Sequence, residues 1–315
     1  MKRTYLTCLL ALALASFPKA TRAADLVSEA MAGFSPQTIR IECSSPAKLR
    51  KLPNYQNLRQ RYVGPRLQTL ESSLAQIGIH EDDIDELMLG WEAGKTEMGL
   101  YGFAGGRFDS KAIADSAVAR SMSPSPVAGQ QAYCLEAGLE GTCVVVLGDS
   151  LGAFGSLSDL TAMLEARQGQ GTSLNSVERF ARLVREAKKD APIWGVAVGP
   201  AVGDWFRGWM PSQGNIRLDW GRVFETVDSL AYSVEAGEKV DLDLKLECAT
   251  PEAAASLRQV LEGLKLAQQL AWQNQNPNRP NPFEATQVGL DGRQITLRFS
   301  SGYSDLELAR GVSVP

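Results

Sequence analysis

Imidazole is nearly missing from this chain: its 315 residues include one histidine, His80. Chemistry that needs two imidazoles is excluded, and with it most zinc sites. A basic excess is also missing. Lys+Arg number 32 against 36 Asp+Glu, so no cationic footprint for nucleic acid is present. After residue 23 no run is apolar enough to cross a bilayer as a helix, which takes roughly 20 residues. What remains, 44% hydrophobic and 22% charged residues, is a globular composition. Chain length suggests two units of about 150 residues each.

Residues 1–23 read as a secretory signal peptide. Lys2 and Arg3 precede an uncharged, mostly apolar run from Thr4 to Phe17, and Thr21-Arg22-Ala23 places small residues before a cut at Ala24. Cys8 lies too early for lipid attachment. Removing the segment takes four basic residues and no acid, leaving 28 basic against 36 acidic residues, a net charge of −8. The expected location is therefore the periplasm or the extracellular space, where disulfides persist.

Self-similarity organises the rest. Ile84–Gly94 (IDELMLGWEAG) and Val227–Gly237 (VDSLAYSVEAG) share five identical positions at a constant offset of 143. In the first half, Thr38–Cys43 is strand-like. Pro65–Ile77 is helical, with Leu67, Leu70, Leu74 and Ile77 on one face, closed by Gly78. Asp85–Glu92 and Gly99–Phe108 read as strands, and Asp109 or Ser110 caps a helix to about Arg120. Ser121–Gln130 is a loop, Gln131–Glu136 and Thr142–Leu147 a hairpin around 137–140, and Ser158–Arg167 a helix. In the second half, Ile193–Val198, Asp228–Glu235 and Val240–Cys248 are strands. Thr250 caps a helix that has Pro251 at its first position and a stripe of Leu257, Val260, Leu261, Leu264 and Ala271. After a polar loop, Asn274–Pro282, comes a hairpin of Ala285–Leu290 and Gln294–Phe299 turning on Asp291-Gly292, then a short helix, Ser304–Ala309.

The expected fold is α+β: two related repeats, 24–170 and 171–315, each a mainly antiparallel sheet covered by helices in the order β-α-β-β-α-β-β-α. The boundary lies near Arg167–Ser173, and Ser176–Lys189 forms a helix leading into the second repeat, with Asp25–Met31 its counterpart before the first. One continuous sheet shared by both halves is the alternative.

Cys134 and Cys143 sit on the two arms of the first hairpin. If Glu136 faces Gly141, the cysteines face each other, close enough for a disulfide after modest adjustment. The second hairpin carries Val288 and Ile295 at the matching places, marking a packing site. Cys43 and Cys248 have no evident partner and read as small buried hydrophobes.

Three stretches suggest chemistry. Cys143–Leu151 (CVVVLGDSL), an apolar strand ending in Gly-Asp-Ser-Leu, resembles the first block of the GDSL (SGNH) esterase and lipase family. The resemblance covers nine residues and implies Ser150 as nucleophile. The family's later Gly-x-Asn-Asp and Asp-x-x-His blocks are absent, and no histidine follows Ser150. A serine hydroxyl needs a neighbouring base. Gly148–Ser150 is therefore expected to be a strand-to-helix connector. Gly90–Thr96 (GWEAGKT) has three residues between its glycines where a phosphate loop needs four, and reads as a hairpin turn. His80 stands beside Glu81, Asp82 and Asp83, which read as the start of a short helical turn, where negative charge suits the N-terminus.

Trp205, Phe206, Trp209 and Met210 would gather on one side of a helix, as a partner patch or as core. No catalytic, cofactor-binding or metal-ligating set is assigned. The function expected is that of an exported, non-enzymatic protein acting by binding or envelope assembly. A serine esterase using Ser150 and a carrier of a small apolar ligand are the alternatives.

Overall fold

The structure is a computed structural model and describes residues 25–53, 55–56, 59, 65–93, 101–135, 141–209 and 219–305. Residues 1–23, the hairpin tip 137–140, the end of the closing helix beyond 305, Met210 and the Gly94–Thr96 part of the glycine motif lie outside them.

A single sheet of twelve strands runs through the molecule, in the order β11-β12-β10-β9-β8-β1-β2-β3-β7-β6-β5-β4, with every neighbouring pair antiparallel. The strands are β1 Thr38–Ser44, β2 Ile84–Glu92, β3 Tyr101–Gly106, β4 Ser125–Val127, β5 Gln130–Cys134, β6 Cys143–Gly148, β7 Leu151–Gly155, β8 Ile193–Val198, β9 Val227–Ala236, β10 Val240–Cys248, β11 Gln287–Asp291 and β12 Gln294–Ser301. The longer helices are α1 Leu26–Gly33, α2 Pro65–Gln76, α3 Ser110–Ala119, α4 Leu157–Arg167, α5 Glu178–Glu186, α6 Pro200–Trp209 and α7 Pro251–Gln275. The fold is thus mixed α+β with an antiparallel sheet. The sheet is continuous: β1 pairs with β8 from Arg40↔Ala197 to Ser44↔Ile193.

Helix starts follow the local chemistry. Asp109 accepts from Ala112 N–H at 2.9 Å, Ser156 from Asp159 N–H at 3.1 Å and Thr250 from Ala253 N–H at 3.1 Å, each satisfying an otherwise orphaned amide.

Helix cover explains the strand patterns. Over the first half the sheet is covered on both faces. On the front, Ile41, Met88, Phe103, Val145 and Ala153 pack under α1, α4 and α5 through Leu26, Met31, Leu160, Met163, Phe180 and Leu183. On the back, Ala104, Tyr133 and Val144 pack with Ile77, Ile113 and Ala117. A strand buried on both faces needs no alternation, and β6 accordingly reads CVVVLG. On the front of the second half, Trp194 and Val196 of β8 still pack with Phe180 and Leu183 of α5, and the rest of its core lies on the back. Leu230, Tyr232, Leu244, Leu246 and Ile295 pack with Val202, Trp205, Leu257 and Leu261 of α6 and α7. Its front carries Asp243, Lys245 and Glu247 on β10, and β10 alternates as VDLDLKLEC.

Five expectations are corrected. Gly148–Ser150 is the turn of the β6–β7 hairpin and leads to another strand, not to a helix. Leu151–Gly155 (LGAFG) has little β-propensity, yet lies between β3 and β6, so packing decides its state. The 121–130 loop contains β4, because Pro126 is tolerated on the outermost strand, whose far side pairs with no strand among the described residues. The second hairpin turns on Gly292-Arg293, with Asp291↔Gln294 closing it and Gly292 at φ +56°. A glycine at the first central position is what that tight turn requires. Consequently Val288 opposes Leu297, and Ile295 opposes Leu290. Val260, placed on the buried stripe of α7 by its spacing, is 42% exposed.

Candidate functional site

The first hairpin carries the disulfide. Cys134 and Cys143 are directly opposed in the β5–β6 register, Leu135 N–H donates to Thr142 C=O at 2.9 Å beside them, and the two sulfurs are bonded. Cys43 and Cys248 are buried free thiols, and burial pushes the Cys43 pKa up to about 12. A thiol held protonated in this way is a poor nucleophile.

The serine motif is stitched into the framework. Gly106 N–H donates to Ser150 C=O at 3.1 Å and Phe108 N–H to Asp149 C=O at 2.8 Å, tying the β6–β7 turn to the end of β3. His80 is exposed and heads the one-turn helix Glu81–Asp83, where its backbone N–H donates to the Asp83 carboxylate at 2.9 Å. Among the described residues no hydrogen bond joins this imidazole to Ser150. Gly90, Trp91 and Glu92 belong to β2, so that part of the glycine motif is extended strand rather than a phosphate-cradling loop. Among the described residues no group of three His, Cys, Asp or Glu is placed to hold a metal ion.

The aromatic cluster of α6 is core at two of its four positions. Trp205 is 2% and Phe206 5% exposed, which corrects the reading of these two rings as a partner patch. Phe206 stacks on Phe224 with centroids 3.9 Å apart, and Trp205 lies 4.8 Å from the Tyr232 ring. The physical reason is that α6 lies on the back of the sheet, where large rings fill the layer between helix and strands. Trp209 is the last residue of α6.

Two tyrosine bridges, one on each face, went unread in the sequence. On the back, Glu42 of β1, Gly195 of β8 and Tyr232 of β9 lie in one row across three strands. The Tyr232 ring crosses Gly195, and its hydroxyl donates to the Glu42 carboxylate. Arg40 completes the group: its guanidinium is 2.7 Å from Glu42 and sits 4.1 Å from the Trp91 ring centroid. Burial works against the Arg40 charge, but Tyr232 and Glu42 outweigh it and raise its pKa. On the front, the Tyr101 ring lies over Gly90 of β2 and its hydroxyl meets Thr38 Oγ1 of β1 at 2.8 Å. The signal that could have found these bridges is a lone glycine inside an apolar strand, as in Trp194-Gly195-Val196, which marks the close approach of another group.

The tyrosines make a pH prediction. Burial raises the Tyr232 phenol well above its ordinary pKa of 10, with Glu42 adding to the effect. Burial also raises Tyr101, and it pushes Tyr55 up to about 12 with help from Glu81. A raised folded-state pKa means the native chain holds these protons more tightly than the unfolded chain does. The associated stability is complete below pH ~10 and is lost as pH climbs beyond it. Urea midpoints should therefore fall between pH 8 and pH 11, and fall less in Tyr232→Phe. An equal fall in both proteins would remove Tyr232 from this account.

A cleft of about 540 Å³ opens beside the front bridge, lined by Gln37, Glu92, Tyr101, Asp159, Ala162 and Met163, among others. This volume lies in the range that holds small ligands. A shallower hollow of about 620 Å³ is lined by the disulfide, Leu135 and Leu157.

No family model matches the chain, and no curated protein matches it in sequence. Solved structures do. Crystal form III of TP0453 is similar at a TM-score of 0.52 and 12% identity, over 90% of this chain and 96% of that one. Crystal form I of TP0453 is similar at 0.52 and 10% identity, over 92% and 98%. At such identity the likeness is one of fold.

Proposed function

We propose that this chain is an exported, non-enzymatic protein that acts by binding, in the periplasm or outside the cell, and that it consists of two copies of one α+β unit, 24–170 and 171–315. Support for the duplication comes from strand order. Outward from the β1–β8 pair, one side runs β1-β2-β3-β7-β6 and the other β8-β9-β10-β12-β11. α2 and α6 occupy the same step between first and second strands, α3 and α7 the same step after the third. β2 and β9 begin at Ile84 and Val227, the offset of 143 seen in the sequence. The disulfide supports an oxidising compartment. No helix among the described residues is long and apolar enough to cross a membrane.

The observation that carries the binding role is the cleft between α1, α4 and the ends of β2 and β3, floored by Tyr101 and Glu92. It joins an apolar wall, Ala162, Met163 and Ala166, to a few convergent polar groups, the usual composition of a small-ligand site. Carriage of a small apolar molecule is the second reading, favoured by the hollow beside Leu157, which is 40% exposed. An esterase reaction at Ser150 is disfavoured, since its turn is part of a hairpin.

Ligand-induced thermal shift tests the role. A panel of lipids, hydrophobic metabolites and small polar metabolites should contain a compound that stabilises the protein, by about 2.7 kcal/mol at a hundredfold excess over Kd. Ala162→Trp, at an exposed position of the cleft wall, should abolish that shift and leave the unliganded midpoint near its original value. A shift that survives Ala162→Trp would move the site elsewhere, and no shift across the panel would overturn ligand binding.

A further inference from the structure

The two ends of the sheet are finished differently. At one end β4 is three residues long and contains Pro126, which blunts the edge. At the other end β11 spans five residues, Gln287–Asp291, with neither proline nor lysine, and among the described residues its outer side pairs with no strand. The Gly292-Arg293 turn sets which groups face outward. Asp291↔Gln294 closes a two-residue loop, so Asp291, Gly289 and Gln287 exchange backbone bonds with β12. The N–H and C=O groups of Val288 and Leu290 therefore point away from the sheet.

We infer that β11 pairs antiparallel with β11 of a second copy of this chain, about a two-fold axis at Gly289, extending the sheet across the dimer. This register is self-complementary. Val288 of each copy meets Leu290 of the other with reciprocal N–H···O=C bonds, since both residues present outward groups. Val288 belongs to the back core, and Leu290, which shares its face, is 37% exposed, so the contact continues that core. On the front, Gln287 of each copy meets Asp291 of the other, and no like charges oppose. A register centred on Asp291 would set the two carboxylates against each other. Arg298 stands next to Gln287 in the same row and lends a favourable charge to the incoming Asp291. The chain already uses this kind of seam, because β1 and β8 join its two half-sheets edge to edge. Gly289 at the axis adds no side chain where the strands come closest.

Cysteine crosslinking of the purified full chain tests the register. In the double variant Gln287→Cys/Asp291→Cys, facing positions have Cβ atoms about 4.5–5.5 Å apart, near enough for a disulfide on mild oxidation. In Gln287→Cys or Asp291→Cys alone, the two new cysteines are roughly 13 Å apart, four residues of strand. The expected result is a covalent dimer from the double variant and none from either single variant, with the unmodified protein dimeric by light scattering. Leu290→Pro, which deletes an outward N–H, should yield a monomer with unchanged circular dichroism. If that variant does not fold, Leu290→Lys should do the same. A monomeric unmodified protein, or a single variant that crosslinks as well as the double, would overturn the inference.

Discussion

Gly195→Ala is expected to cost the fold roughly 2–5 kcal/mol, combining an overpacked core with a broken buried hydrogen bond. A Cβ at this position would lie 2.4 Å from the Tyr232 hydroxyl, 2.5 Å from its ring and 2.7 Å from Ile41 O. The last neighbour is backbone of β1 and cannot swing away. The ring could withdraw, but only by leaving Glu42 and Arg40 in a half-buried site without its hydroxyl. Both outcomes strike the strand pair that joins the half-sheets, so the loss should appear as one cooperative drop in urea midpoint rather than as separate transitions. Gly195→Ala with Tyr232→Phe should recover little, because the backbone clash persists. A single variant within about 0.5 kcal/mol of the original, the scatter of neutral surface changes, would show that Tyr232 does not cross Gly195.

Trp205→Ala should be at least as severe, about 3–5 kcal/mol, the usual range for truncating a buried tryptophan. Trp205 meets Phe206 at 5.0 Å and Tyr232 at 4.8 Å between ring centroids, so its removal leaves a cavity walled by rings anchored on α6 and β9. Trp205→Phe should lose less than half as much, because much of the space stays filled. Were these residues a docking patch, Trp205→Ala would leave the urea midpoint unchanged and abolish partner capture instead. The measurement is equilibrium unfolding followed by far-UV circular dichroism.

Local signals were legible and long-range ones were not. Asp109 and Thr250 sit where a short polar side chain can satisfy an orphan amide, and each does so. The Cys134↔Cys143 register followed from the alternation of a hairpin, whose arms are neighbours in sequence. By contrast β7 was hidden: two glycines and an alanine give LGAFG little local preference, and burial between β3 and β6 makes it a strand. The β1–β8 seam was hidden for another reason, since its partners are 155 residues apart at Ile41↔Val196 and nothing local names them. The aromatic group of α6 had the right helical spacing but an ambiguous side, because large rings serve cores and interfaces alike. The cleft was not legible at all. Gln37, Glu92, Tyr101 and Asp159 come from separate elements and meet only once the sheet has formed.

The function proposed above is that this protein binds rather than hydrolyses, with its Gly-Asp-Ser-Leu stretch serving as the turn of the β6–β7 hairpin. Labelling of the purified protein by a fluorophosphonate probe, with Ser150→Ala alongside, tests it most directly. The account predicts no labelling of either protein and equal urea midpoints for both, because the turn is held by the backbone carbonyls of Asp149 and Ser150 and not by the serine hydroxyl. Labelling that disappears in Ser150→Ala would contradict it and favour the alternative of a serine esterase using Ser150.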